Sequence, residues 1–331
     1  MAVSLPLIRQ LQSGSVSDAW KTLLSYSWEV CSPPLSPETA QQEVTRRDNQ
    51  IAELDLFLAT AGWDLWRGYE DAVEHTADAL VSWWEKTAGG KAVLILDALS
   101  LREAPWILQG AIERGYKVEA RATGAELPAD TTPFAKALGF TQRSALGNNG
   151  GGSAHRLPGA RTDCFDYPWT DCLNTVGTDP QIVIWHQWPD SHVHDFAEIG
   201  KGIRRLSQEV AERLTDPEFW RFVDRLTTGR RLIITSDHGY AATGNFADTT
   251  EADQKTYLKD TYSSGRWVKA DQETQPPWLP PIALTLETKH GRNSFVAGRR
   301  KWKSPAGYPT LAHGGLSVLE VASPFIEISR Q

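Results

Sequence analysis

Three short apolar runs constrain the fold of this chain more than any other feature. They are Ala92-Val93-Leu94-Ile95-Leu96-Asp97, Ile182-Val183-Ile184-Trp185 and Leu232-Ile233-Ile234-Thr235-Ser236-Asp237. Each is continuous, rich in β-branched residues and free of polar alternation, as for strands covered on both faces. Segments of helical character lie between them, over roughly 100–114, 133–138, 196–214 and 217–227. This alternation predicts an α/β fold with a mostly parallel sheet and helices on both sides. Ligands of such sheets bind beyond the carboxyl ends of the strands. Asp97, Asp190 and Asp237 all lie at or after such ends.

The chain divides at about residue 89. Residues 1–88 form a helical N-terminal region: 17–30 carries Trp20, Leu23, Leu24 and Trp28 at helical spacing, Ser36-Pro37-Glu38 opens a longer polar helix, and a third helix spans about 63–86. This region holds no apparent catalytic cluster and reads as a cap or partner-docking arm. Residues 89–331 form the α/β domain. Within it, the glycine-rich 146–155 lacks the Gly-Lys-Ser/Thr of a phosphate-binding loop and reads as a surface insertion. The polar stretch 241–310, with Pro276, Pro277, Pro280 and Pro281, reads as an excursion over the active face.

Charge limits the partners. Asp and Glu number 41 against 34 Lys and Arg, a net charge of −7 that argues against a chain-wide footprint for duplex DNA. The local pairs Arg204-Arg205 and Arg299-Arg300-Lys301 read as solvated faces. Cys31, Cys164 and Cys172 form no CxxC pair, which fits a reducing cytoplasm and no thiolate metal site. The N-terminus lacks a signal-peptide core, and no run approaches the ~20 apolar residues of a membrane span. The expectation is a cytoplasmic protein. Most of the 14 Trp read as core residues rather than a base-stacking platform.

Three clusters carry the chemistry: Trp188-Pro189-Asp190-Ser191-His192-Val193-His194, Ser236-Asp237-His238-Gly239 and His313-Gly314-Gly315. Carboxylates with imidazoles are a zinc-type ligand set where thiolates are absent. Asp190 and His194 are four apart, so a helical turn puts them on one face. The ordered set Asp97, Asp190-x-x-x-His194, Asp237-His238-Gly239, His313-Gly314-Gly315 resembles the alkaline phosphatase superfamily. Within it, Leu96-Asp97-Ala98-Leu99 with Arg102-Glu103, and the tail His313 to Val321 running into Ser323-Pro324-Phe325, are similar to the PglZ domain of BREX-type phage defence. The resemblance spans about residues 91–330.

That resemblance implies an alkaline phosphatase-like fold and two divalent ions, zinc first and manganese second. Asp190, His194 and His313 would hold one; Asp97, Asp237 and His238 would hold the other, together with the nucleophile. Leu127-Pro128-Ala129-Asp130-Thr131-Thr132-Pro133 is similar to a P-x-x-T-x-P pattern that selects Thr131, with Thr132 one residue away and Ser100 as rivals, ahead of a helix beginning at Pro133. Arg102 is a candidate for a non-bridging phosphoryl oxygen, and a surface helix arginine is its ordinary reading. Taken singly, the others have ordinary readings too: Asp97 and Thr131 as helix caps, His194 on a helix face, His313 in a turn. His186 and His192 fill no slot in the motif, and His155 and His290 read as solvent-facing loop residues.

The expected activity is two-metal hydrolysis of a phosphodiester, a nucleotide or nucleic acid, through a threonine nucleophile. Two alternatives stand beside it: a phosphomonoesterase or phosphoglycerate mutase-like enzyme, and a non-catalytic scaffold of a defence complex, its N-terminal region binding other defence proteins.

Overall fold

A computed structural model describes residues 4–151, 154–196, 202–243, 249–272, 281–303 and 310–330. Its central sheet has six strands: β1 (Lys91–Leu96), β2 (Lys117–Gly124), β3 (Arg161–Phe165), β4 (Gln181–His186), β5 (Arg231–Thr235) and a C-terminal strand, Ala322–Ser329. The spatial order is β2, the C-terminal strand, β5, β1, β4, β3. β1 lies between β4 and β5, parallel to both, and β3 is parallel to β4. The C-terminal strand alone runs antiparallel, between β2 and β5. Every β1 residue is buried, as its unbroken apolar run requires. The architecture is α/β, a mostly parallel sheet flanked by helices, as the strand–helix alternation predicts.

Smaller strands complete the fold. β6 (Ala241–Ala242) pairs with Leu311–Ala312, and β7 (Trp267–Lys269), β8 (Ala283–Thr288) and β9 (Gly291–Val296) form a three-stranded antiparallel sheet. With Leu311–Ala312 as β10, the C-terminal strand is β11. The excursion at 241–310 therefore carries ordered structure; Pro276, Pro277 and Pro280 fall outside the described residues.

The N-terminal region is helical: α1 (Leu5–Gln12), α2 (Val16–Cys31), α3 (Ala40–Ala61), α4 (Trp63–Arg67), α5 (Tyr69–Ala72) and α6 (Thr76–Lys86). The expected single helix over 63–86 is three, interrupted at Gly68 and at Val73–His75, where the chain turns extended. Trp20, Leu23, Ile51 and Leu58 from this region share one apolar cluster with Phe295, Leu316 and Val318. Truncating such a core leucine to alanine costs about 2–5 kcal/mol. Of the tryptophans, Trp20, Trp66, Trp84, Trp185 and Trp188 are fully buried, in keeping with a core role. No described helix is long and apolar enough to cross a membrane.

A buried ionic chain also ties the arm to the α/β domain. Asp48 on α3 takes Arg102 Nε at 3.0 Å and Arg299 Nη1 at 2.7 Å. Arg299 Nε reaches Asp55 at 2.5 Å, and the other Asp55 oxygen accepts the Val318 N–H at 2.6 Å. Two sequence readings change here. Arg299 is 4% exposed, because α3 supplies its counter-charges, so Arg299-Arg300-Lys301 is not a solvated face. His155 is 6% exposed and stacked on Phe140, its Nδ1 accepting the Leu157 N–H, rather than facing solvent.

Candidate metal centre

Three parallel strands deliver the site. Asp97 follows β1 directly, and its N–H donates to the His186 carbonyl at the end of β4. The next residue, Ala98, is buried with φ +59°, a left-handed conformation that is strained for alanine. That twist lets the Ala98 N–H donate to Asp237 Oδ1 at 2.9 Å, binding the β1 and β5 loops together. Beyond β4, helix Asp190–Asp195 begins after Pro189. Its i, i+4 geometry brings His194 Nε2 to 3.4 Å from Asp190 Oδ2, as the spacing predicts.

His313 arrives from far along the chain through the β6–β10 ladder, which sets Ala312 opposite Ala241, three residues after His238. The His238 and His313 rings stack with centroids 4.3 Å apart. The tail motif around them is structural. Glu320, fully buried, takes Arg266 Nε at 2.6 Å, the Gly315 N–H at 2.9 Å and the Ser317 hydroxyl at 2.6 Å. Gly239 is needed less for a turn than for approach: a Cβ there would lie 2.2 Å from the Leu319 carbonyl oxygen.

Among the described residues, ligand atoms fall into three groups, each within 4.8 Å: Asp97, Asp237 and His238; Asp190, His194 and His313; Asp130, His238 and His313. The first two are the trios grouped from sequence. Several of their atoms lack a hydrogen-bond partner although buried: Asp237 Oδ2, His238 Nε2 and Asp190 Oδ1. Buried polar atoms are normally paired, so such orphans need a reason. His238 Nδ1 donates to the Gly239 carbonyl at 2.9 Å, which leaves the Nε2 lone pair available to a cation. These donors fit a divalent cation of zinc or manganese type.

The electrostatics agree with that fit. Burial, then the nearby Asp237 and Asp190 carboxylates, push Asp97 well above the usual carboxylate range. Burial also opposes ionisation of Asp190, but the hydrogen bond from His194 and the fields of His313 and His238 outweigh it and hold Asp190 down to about 2. Burial, joined by His238, lowers His313. The hydrogen bond to Asp190 raises the more exposed His194.

Thr131 lies at this centre, its hydroxyl 3.3 Å from Asp97 Oδ1. It is the first residue of helix Thr131–Ala137, two residues before the expected start at Pro133, because Asp130 caps it by accepting the Thr131 N–H at 2.8 Å. Thr132 is solvent-exposed, and Ser100 is engaged by Arg102 at 2.9 Å.

Arg102 does not serve the site as expected. It is 2% exposed, with Nε and Nη2 on Asp48, Nη1 on Ser100 and the Tyr240 carbonyl, and its guanidinium on the Tyr240 ring. Arg143, which the sequence reading overlooked, stands closer: Nε is 3.9 Å from Asp97 Oδ2, Nη2 donates to Gln187 at 3.1 Å, and buried Nη1 has no hydrogen-bond partner. Its position three residues ahead of the glycine-rich 146–155 was the available signal. Burial lowers His186 to about 4, with Nε2 on the Tyr167 carbonyl, and His192 pairs with Glu209 at 2.7 Å; both are structural. His290, expected in solvent, is half-buried, its Nε2 3.4 Å from Glu126.

No protein-family model matches this chain, and no curated protein matches it. Among solved structures, it is similar to murine ectonucleotide pyrophosphatase/phosphodiesterase 5, at 13% identity and a TM-score of 0.43, over 73% of this chain and 88% of that one. An inactive form of the same murine protein in complex with AMP gives a TM-score of 0.44 at 13% identity, with the same shares of the two chains.

Proposed function

We propose that this protein is a two-metal phosphodiesterase of the alkaline phosphatase superfamily. The observation that carries the proposal is the pair of facing Asp/His trios with orphaned buried donor atoms and one threonine hydroxyl 3.3 Å from Asp97. Asp97, Asp237 and His238 would hold one cation; Asp190, His194 and His313 would hold the other. When bound, two divalent ions would neutralise phosphoryl oxygens and make the threonine hydroxyl more acidic.

The chain's own residues supply the rest. Asp97 accepts the Thr131 hydroxyl proton in a hydrogen bond and is itself fixed by the Trp185 indole N–H at 3.1 Å. Attack by Thr131 Oγ on phosphorus would form a phosphothreonine as the P–O bond to the leaving alcohol breaks; water would then cleave the phosphothreonine. The unpartnered Arg143 Nη1 is the donor for a non-bridging oxygen, the role assigned to Arg102 from sequence. A nucleotide or nucleic-acid diester, a cytoplasmic phage-defence setting and partner proteins at the N-terminal helices rest on the PglZ resemblance. Zinc ranks before manganese because the ligands mix imidazole with carboxylate.

Arg143 also gives a phosphomonoesterase its best argument, since a terminal dianion calls for an added cation. The test is hydrolysis of bis(p-nitrophenyl) phosphate beside p-nitrophenyl phosphate with Zn²⁺, Mn²⁺ and Mg²⁺, in wild type, Asp237→Ala and Thr131→Ala. Diester turnover abolished in both variants is the expected result. Full metal occupancy without turnover of either ester would overturn the proposal in favour of a scaffold. Activity retained in Thr131→Ala would remove the nucleophile assignment.

A further inference from the structure

One carboxylate at the centre belongs to neither trio. Asp130 immediately precedes Thr131, and its Oδ1 accepts the Thr131 N–H at 2.8 Å. Its Oδ2 accepts the Trp267 indole N–H at 3.1 Å. These donors are neutral, so they hold the carboxylate in place without cancelling its charge. It is grouped with His238 and His313, whose ring stack joins the two trios. His238 is fully buried and its Nε2 has no hydrogen-bond partner, so this group opens onto the same coordinating space. Arg143 brings the opposite charge, with Nε 3.9 Å from Asp97 and Nη1 unpartnered.

We infer that Asp130, balanced by Arg143, sets the charge of the phosphoryl group this site accepts: it selects singly charged diesters and rejects dianionic monoesters. The inference rests on the phosphoesterase reading and deepens it. Two divalent cations against Asp97, Asp190 and Asp237 leave one positive charge. Arg143 adds one and Asp130 removes one, so a single positive charge remains. A diester monoanion neutralises it, whereas a monoester dianion leaves an excess negative charge beside Asp130 in a partly buried site, where charge interactions are stronger than in open water. Selection here works by repelling the wrong ligand. Trp267, from the 241–310 excursion, fixes the orientation of Asp130, which gives that excursion a role at the site.

Asp130→Asn and Asp130→Ser remove the charge and keep a side chain suited to capping the helix. Both are compared with wild type as metal-loaded full-length protein, with metal content and circular dichroism recorded. The first readout is the ratio of kcat/KM for bis(p-nitrophenyl) phosphate to that for p-nitrophenyl phosphate. The second is equilibrium affinity for inorganic phosphate and for dimethyl phosphate by calorimetry, at a pH where phosphate is dianionic. Both variants should keep their metal, lower the ratio by about 10- to 100-fold and tighten phosphate by a similar factor, with dimethyl phosphate little changed. An unchanged ratio and unchanged phosphate affinity in both variants would overturn the inference. So would loss of metal from both, which would make Asp130 a ligand instead. If wild type turns over neither ester, the phosphoesterase reading fails, and the affinities still decide the role of Asp130.

Discussion

Two buried, acid-rich regions of this molecule differ in one respect. Around Asp48 and Asp55, carboxylates meet Arg102, Arg299 and a backbone N–H, so guanidinium groups of the protein itself supply the counter-charge, although Asp48 Oδ2 has no hydrogen-bond partner. Around Asp97, Asp190 and Asp237, imidazoles face the Asp237 and Asp190 carboxylates at 3.4–3.6 Å, and three buried atoms, Asp237 Oδ2, His238 Nε2 and Asp190 Oδ1, have no hydrogen-bond partner. Ionisation does not divide the regions. Despite burial, Arg102 and Arg299 hold Asp48 low while burial drives Asp55 up, and at the centre Asp190 is held low while burial drives Asp97 well up. Burial of acids, even with one orphaned oxygen as at Asp48, does not mark a functional site; several orphaned carboxylate and imidazole atoms gathered in one place do.

The largest effects should separate the two regions by kind. Asp237→Ala should lose bound metal, read by elemental analysis, and lower diester turnover by a factor on the order of 10³ or more. Thr131→Ala should keep its metal and still fall by a factor on the order of 10⁴ or more in kcat. Asp48→Ala strands two buried arginines, so denaturant unfolding should show a loss of roughly 3–5 kcal/mol. An Asp48→Ala protein of wild-type stability would mean that the ionic chain does not tie the arm to the core.

The sequence shows the centre of the sheet and the grouping of the trios better than it shows the edges and the salt bridges. β1, β4 and β5 are legible because strands covered on both faces need unbroken apolar runs. β2 was missed because Lys117, Glu119 and Arg121 alternate outward along an exposed strand and read as charged surface. β11 looked like an apolar tail, since nothing local shows that it inserts antiparallel between β2 and β5. Asp97, Asp190 and Asp237 are legible together because strand ends converge, and the division into trios comes from the resemblance. Arg102 was misread because its partner Asp48 lies 54 residues away on a helix whose pattern gives no sign of a buried acid. Asp130 caps a helix and Arg143 opens a short 3-10 helix, positions where only the fold decides which way a side chain turns.

A smaller effect tests the electrostatic side of the comparison in metal-stripped protein. Asp97 has a folded pKa above its unfolded value, so its contribution is fully present below the unfolded pKa and is lost as pH rises through the folded one. Asp190 has the reverse sign: its contribution is present above the unfolded value and is lost as pH falls towards about 2. Asp97→Asn should therefore stabilise the metal-free protein at neutral pH and flatten the alkaline side of its stability profile, measured by denaturant unfolding against pH. A variant less stable than wild type there would show that Asp97 is compensated without a cation.

The finest distinction concerns Arg143, which stands beside Asp97 and still has a buried donor without a hydrogen-bond partner. A charge-assisted hydrogen bond of this kind is worth about 1.5–3 kcal/mol. Arg143→Gln should thus lower kcat/KM for a diester by roughly 10- to 100-fold while metal content is unchanged. It should lower monoester turnover more, because a dianion loses more from the missing charge than a monoanion does. Equal losses for the two esters would mean that Arg143 only orients Asp97 and Gln187, and the metal centre would then be closed by cations alone.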